Sequence, residues 1–302
     1  MASEERDVQV GVATLRVREA GAADGEPVIH FHGTPGSRLE MAWADEVIRA
    51  AGVRMIAFDR PGYGASARAP FSLGSVARMA LQVADQMGLE RFRTTGWSGG
   101  GPFALATAAI APERVQAAGV IAGAGPFQLV PGALERLPDG DKAAEKLLPG
   151  NPEGAAAGFA KGFGMTGALA SPETLYQAFE PLICEWDRAQ WNAPGCSQAL
   201  LADMREALKP GPWGGAWDNV AWIGAWDVDP ATVRCPVLLW YGSEDRLAPP
   251  EHARWYDENL PDARLVMWEG EGHLLAFAHL AEMLRELLTC RAPARGGKGD
   301  AT

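Results

Sequence analysis

A serine with glycine two positions to either side, Gly96-Trp97-Ser98-Gly99-Gly100, is the sharpest chemical signal in this chain. A serine hydroxyl is a poor nucleophile near neutral pH. It needs an adjacent base, and the base needs a carboxylate to orient it. Small residues at the flanking positions let a strand and a helix approach around a strained tight turn, which lifts the Ser98 hydroxyl above a sheet. The backbone N–H of Gly99, at the start of the following helix, can donate to a developing oxyanion with help from the helix N-terminal field. A chain with 36 Gly also makes plain strand–helix turns of this composition, so the serine's partners decide the reading.

Of the five histidines, His273 follows an apolar strand at Arg264–Trp268 through the turn Glu269-Gly270-Glu271-Gly272 and precedes a helix. Asp245 follows the strand Pro236–Tyr241 in the run Gly242-Ser243-Glu244-Asp245-Arg246. Both therefore emerge at the carboxyl ends of strands, where open α/β sheets place their sites. Glu244 is a rival acid, but adjacent residues point in different directions, so at most one of the two reaches His273. His30-Phe31-His32 places two imidazoles on one face of a strand, where they could share a metal. The following Gly33-Thr34-Pro35-Gly36 supplies no further ligand, so no metal is expected. Cysteines 184, 196, 235 and 290 lie far apart without a CxxC pair and read as buried thiols.

These residues need a scaffold, and the flanking sequence supplies one. Val12–Val17, Pro27–Phe31, Val53–Phe58, Phe92–Trp97 and Val115–Ala122 read as strands, alternating with helices at Leu39–Ala51, Ser72–Met87 and Gly99–Ala111. After a break the pattern resumes with Pro236–Tyr241, a helix at Pro250–Asn259, Arg264–Trp268 and a helix at Leu274–Leu288. Such alternation predicts an α/β fold, a sheet covered by helices on both faces. The intervening Gly123–Asp229 is rich in Gly, Pro, Ala and Trp, has helical patches and no clear strand, and is too long for a loop. The expected organisation is a core from residues 1–123 and 230–290, an inserted helical subdomain over 124–229, and a disordered tail over 291–302. Met1–Arg6 is expected to fray.

The insertion holds six of the eleven tryptophans, at 186, 191, 213, 217, 222 and 226. Trp213-Gly-Gly-Ala-Trp217 and Trp222-Ile-Gly-Ala-Trp226 form a loose repeat whose i, i+4 pairs share a helical face. They can pack the insertion onto the core, or line an apolar pocket over Ser98 that excludes water. Trp97, next to the serine, is expected to pack behind the turn. Such a Trp-rich surface is also one place where a homodimer could form.

Composition limits the partners. The 302 residues carry 27 Lys and Arg against 38 Asp and Glu, a net charge of −11, with 47% hydrophobic and 22% charged residues. That is a globular composition. The acidic balance disfavours nucleic acid and anionic membranes. The start MASEERDVQV has charges where a signal peptide needs an apolar run, and the uncharged stretches are broken by Gly and Pro, so a cytoplasmic, soluble protein without a membrane span is expected. Residues 124–229 hold 14 Asp and Glu against 7 Lys and Arg, a share of −7 that should discourage strongly anionic substrates.

With these motifs in hand, the sequence resembles the α/β-hydrolase superfamily, in its serine-dependent, cap-bearing branch. The order Ser98…Asp245…His273 is that of its catalytic triads. His32-Gly33-Thr34-Pro35-Gly36 is similar to the HGxPG oxyanion loop, which implies that the Thr34 backbone N–H is the second donor beside Gly99. Asp59-Arg60-Pro61-Gly62-Tyr63-Gly64-Ala65-Ser66 is similar to a structural D-x-x-G-x-G-x-S loop, so Asp59 is not expected to be catalytic. Gly242 through Pro249 resembles the G-x-x-D-x-x-x-P acid loop, favouring Asp245 over Glu244, and Gly272-His273 matches the G-H signature. The resemblance implies an eight-stranded, mostly parallel sheet with the cap inserted between strands six and seven. Members with GWSGGGP and a Trp-rich cap are common among bacterial hydrolases of unassigned substrate. Ser98 in place of an elbow aspartate removes dehalogenase and epoxide hydrolase activity.

The implied function is hydrolysis of a small, mostly neutral hydrophobic ester without a cofactor, with Trp97, Trp213, Trp217, Trp222 and Trp226 as pocket candidates. The alternatives are an aminopeptidase or amidase, with Glu180, Glu185 and Asp187 available to hold an amine, or a lactone hydrolase. A lyase or a cofactor-free oxygenase on the same triad is also open.

Overall fold

The computed structural model describes residues 3–163 and 167–290. Eight strands form one sheet: β1 Glu4–Val10, β2 Ala13–Gly21, β3 Glu26–Phe31, β4 Val53–Phe58, β5 Phe92–Trp97, β6 Val115–Ile121, β7 Val237–Gly242 and β8 Ala263–Trp268. Their spatial order is β1-β2-β4-β3-β5-β6-β7-β8. β2 runs antiparallel to both β1 and β4, and the remaining pairs are parallel. The central strands β5 and β7 are buried along their whole length, as continuous apolar or small-residue runs covered on both faces must be.

The core helices are α1 Asp45–Ala50, α2 Leu73–Gln86 and α3 Gly101–Ile110, followed after the insertion by α10 Pro250–Asn259 and α11 Leu275–Thr289. α2 starts where the sequence supplies a reciprocal cap. The Ser72 hydroxyl accepts from the Ser75 N–H while Ser75 answers to the Ser72 backbone. α3 packs on α2, β5 and β6 and is buried nearly all round, which suits its run of Gly, Ala, Phe and Leu. One hydrophobic cluster lies on the α2–α3 side of the sheet, and a second lies under α1 and α11.

Between β6 and β7 the described residues form six α-helices: α4 Asp139–Glu145, α5 Pro152–Phe159, α6 Pro172–Phe179, α7 Glu185–Trp191, α8 Cys196–Ala207 and α9 Trp213–Ile223. No strand occurs there among the described residues. No helix of the described residues is long and apolar enough to cross a membrane.

Two local expectations change. The segment expected to fray pairs into β1 from Glu4 onward, with Glu4 opposite Glu19 and Arg6 bridging to Glu19 at 2.8 Å. The helix expected over Leu39–Ala51 is confined to a short 3₁₀ turn at Ala42–Ala44 and to α1. Ser37 through Met41 instead form turns, because Arg38 and Glu40 are drawn into side-chain networks beside the site. The tail expected over 291–302 lies outside the described residues.

Candidate active site

Ser98 sits in the turn between β5 and α3 with φ +52°, the left-handed region that costs a non-glycine residue energy. Its neighbours explain the glycines. A Cβ on Gly96 would run into the Gly100 carbonyl, and one on Gly100 would run into the Phe31 and His32 carbonyls of the adjacent strand. A Cβ on Gly99 would strike the Thr34 hydroxyl, so the serine turn and the His32–Gly36 loop meet at closest approach there.

Asp245 and His273 come together from the ends of β7 and β8. Asp245 Oδ2 lies 2.8 Å from His273 Nδ1, and Oδ1 accepts from the backbone N–H groups of Leu247 (2.8 Å) and Ala248 (2.9 Å). The carboxylate is thus held by the loop that carries it, and its second oxygen is left for the imidazole. Both residues are buried, at 3% and 6% exposure, whereas Glu244 is exposed. Burial alone would lower the His273 pKa. The charge and hydrogen bond of Asp245, with smaller contributions from Asp187 and Glu40, lift it above the ordinary value. The His273 carbonyl accepts from Trp97 Nε1 at 3.1 Å, and the Leu274 N–H donates to Asp187 Oδ1 at 2.9 Å. Asp187 belongs to α7 of the insertion, so both the strand before Ser98 and the insertion brace the histidine.

The loop bearing Thr34 is fixed from two sides. The Gly33 N–H donates to Glu40 Oε1 at 2.7 Å, and Glu40 Oε2 lies 2.8 Å from His30 Nε2. From the other side, Arg60 donates to the His32 carbonyl at 2.6 Å and to the Gly33 carbonyl at 3.0 Å. Arg60 is itself paired with Asp218 of α9, both wholly buried, at 2.8 Å (Nε) and 2.5 Å (Nη2). The same carboxylate accepts from the Thr34 hydroxyl at 2.6 Å and from the Tyr63 hydroxyl at 2.5 Å. One residue of the insertion therefore ties the Thr34 loop and the Asp59–Ser66 loop together.

His30 and His32, the pair that could have shared a metal, have separate partners. His30 Nδ1 meets Thr95 Oγ1 at 2.9 Å. His32 Nδ1 donates to the Gly33 carbonyl, while its Nε2 accepts from the Arg60 N–H. Burial, with the Arg60 charge adding, pushes His32 well below its ordinary pKa, in keeping with that neutral tautomer. Asp59 holds Arg38 at 2.7 Å and caps the Ala65 N–H.

A cavity of about 370 Å³ opens over Ser98, lined by Thr34, Glu40, Trp97, Ser98, Gly99 and His273 from the core. The insertion adds Asp141, Phe179, Trp191, Asp203, Asn219 and Trp222. No Lys or Arg lines it among the described residues. Asp203 Oδ1 accepts from the Ser37 N–H and hydroxyl, and burial followed by the nearby Glu40 charge pushes its carboxyl well above the usual range.

Among the tryptophans proposed for the wall, Trp97 and Trp222 reach it. Trp213, Trp217 and Trp226 do not line this cavity. α9 stops at Ile223, and Gly224 turns the backbone extended, so Trp226 leaves the helical face of Trp222 and packs toward Tyr256. Trp217 turns to Phe71 of the core, and Trp213 packs against Trp217. Trp191 joins the wall without having been singled out, as do Glu40, Asp141, Asp203 and Asn219. Glu180 and Glu185 are exposed, and Asp187 is committed to the histidine loop, so none of the three lines the cavity.

A family model for the alpha/beta hydrolase fold matches residues 26–280. The chain is 32% identical over 291 residues to the dihydrolipoyllysine-residue acetyltransferase component of an acetoin cleaving system from Pseudomonas putida, covering 93% of this chain and 67% of that protein. It is 27% identical over 293 residues to a 2-hydroxy-6-oxo-6-phenylhexa-2,4-dienoate hydrolase from Burkholderia cepacia, covering 89% and 88%. It is 28% identical over 261 residues to a rhodomycin D methylesterase from Streptomyces peucetius, covering 80% and 84%. The chain belongs to the alpha/beta hydrolase family.

Proposed function

We propose that this hydrolase cleaves a neutral, hydrophobic carboxylic ester through an acyl-enzyme on Ser98. The observation that carries the reading is the buried Asp245–His273 contact at 2.8 Å, with His273 and Ser98 lining one cavity. His273 takes the Ser98 proton as the hydroxyl oxygen attacks the ester carbonyl carbon. Asp245 holds the imidazole in the tautomer with Nδ1 protonated and stabilises the imidazolium. The Thr34 and Gly99 N–H groups face the carbonyl oxygen as it becomes an oxyanion. His273 then gives its proton to the departing alkoxide. A water activated by the neutral histidine releases the acid and regenerates Ser98. The helices over 124–229 serve as the cap, closing the site and excluding water.

An ester fits the cavity's chemistry. Its wall is mainly apolar, its ionisable groups other than His273 are carboxyls, and a carboxylate substrate would meet no Lys or Arg there. That weighs against a second reading, carbon–carbon bond cleavage in a dienoate, which the Burkholderia cepacia relative favours. A fluorophosphonate probe should label the wild type and not Ser98→Ala, and p-nitrophenyl acetate should be turned over only by the wild type. Wild type that neither labels nor turns over refutes the ester reading.

A further inference from the structure

The cavity over Ser98 adjoins a second space. A cavity of about 750 Å³ between α4, α5 and α9 shares Asp141, Phe163 and Asn219 with the wall over Ser98. Its own lining is of small residues, among them Gly140, Ala144 and Ala157. The junction is polar within otherwise apolar surroundings. Asn219 is 6% exposed, and its side-chain amide has no hydrogen-bond partner among the described residues and opens onto the cavity rather than being sealed from it. An amide that faces a cavity without a protein partner is satisfied by whatever occupies that cavity, and a ligand that displaces water there must supply the hydrogen bond. Asp141, half-buried at the same junction, also lacks a side-chain hydrogen bond among the described residues.

We propose that this junction is a hydroxyl-recognition subsite, in which Asn219 and Asp141 hold a neutral hydroxyl on an extended arm of the ester while the arm continues into the second cavity. A hydroxyl both donates and accepts, so it can satisfy the Asp141 oxygen and the Asn219 amide together. A methyl group would leave the amide unpaired. A carboxylate would face Asp141, and an ammonium would leave the Asn219 N–H unsatisfied, with Lys161 lining the second cavity. The inference rests on the ester-hydrolase reading and extends it to a substrate class, a hydroxylated ester longer than the cavity over Ser98.

The test compares kcat/KM for p-nitrophenyl alkanoates, butanoate to dodecanoate, with their ω-hydroxy and ω-amino counterparts, and for alkyl against ω-hydroxyalkyl acetates. The hydroxylated ester should be preferred by about fivefold to tenfold at one chain length in at least one series, the worth of one satisfied buried hydrogen bond. Asn219→Leu should bring that ratio to about one. In Gly140→Trp, where a Cβ meets nothing within 4 Å, the longest chains should lose more than butanoate. No hydroxyl preference at any length, a preference for the amino series, or a ratio unmoved by Asn219→Leu overturns the proposal. Calorimetry on Ser98→Ala with ω-hydroxylated and plain methyl esters reads the subsite without turnover. A hydroxyl preference there with an inert wild type faults the ester chemistry and leaves the subsite standing.

Discussion

On the core side of the catalytic cavity, Thr34, Glu40 and His273 have committed their side chains to Asp218, to Gly33 with His30, and to Asp245. On the insertion side, the buried indole N–H groups of Trp191 and Trp222 and the Asn219 amide have no partner among the described residues. The two walls face one space and are held to different standards. A triad works only if its members stand within a fraction of an ångström of the reactive geometry, and hydrogen bonds fix Asp245 and His273 in place. A substrate-binding wall must keep capacity in reserve for a partner that arrives later. In the reading proposed above, the core wall carries the chemistry and the insertion wall offers selectivity.

That division can be broken most severely from the core side. Ser98→Ala should lower kcat for p-nitrophenyl acetate on the order of a millionfold with the circular dichroism spectrum intact. Loss of less than a thousandfold would remove Ser98 from the centre of the site. Asp245→Asn should cost about ten-thousandfold in kcat while Glu244→Gln stays within a few-fold of wild type, because only Asp245 reaches the imidazole. The reverse pattern would reassign the acid.

The pH profile sharpens the same point. His273 must be neutral to accept the serine proton, so activity rises as pH climbs through its pKa. With Asp245 lifting that pKa, the midpoint of the acid limb of kcat/KM should lie above the ordinary 6.5. In Asp245→Asn, which removes the lifting charge, the limb should move to lower pH. A limb in the same place for both enzymes contradicts the electrostatic role.

Asp218 belongs to the insertion yet fixes a core loop, so it measures how separable the walls are. Asp218→Ala leaves Arg60 charged, buried and uncompensated, and should cost about 3–5 kcal/mol of stability in urea denaturation. Replacing both, as Arg60→Met with Asp218→Leu, should recover much of that stability while turnover stays low because Thr34 has lost its anchor. Full recovery of both would show that the loop needs no clamp from the insertion. The smallest effect belongs to the insertion wall itself. Trp222→Phe keeps a ring and deletes the N–H, and should change KM a few-fold with kcat nearly constant. An equal change in kcat would mean that this indole also positions the reacting groups.

How far the sequence reached follows the same line. Ser98, Asp245 and His273 stood out as candidates because each sits in a turn marked by glycines, which the structure shows are required by close approach: Gly96 to Gly100 within the turn, and Gly100 to Phe31, Gly242 to Glu271 and Gly272 to Asp187 across the fold. The strands β4 and β5 and the helix α10 fall on their expected bounds because burial on both faces or a proline at the start fixes them within a short window. The Trp repeat misled where one residue, Gly224, ended a helix that periodicity alone would continue. Asp218 carried no local signal at all, since its partner Arg60 is 158 residues away.

The sequence by itself determined the fold class and marked Ser98, Asp245 and His273 as candidates in glycine-bounded turns at strand ends, because strand–helix alternation and turn residues are written in short windows. Only the tertiary structure decided which tryptophans line the cavity over Ser98, which carboxylate clamps the Thr34 loop and which amide opens onto the cavity without a protein partner. Those outcomes depend on how helices far apart in the chain settle against one another, and no short window of sequence records that packing.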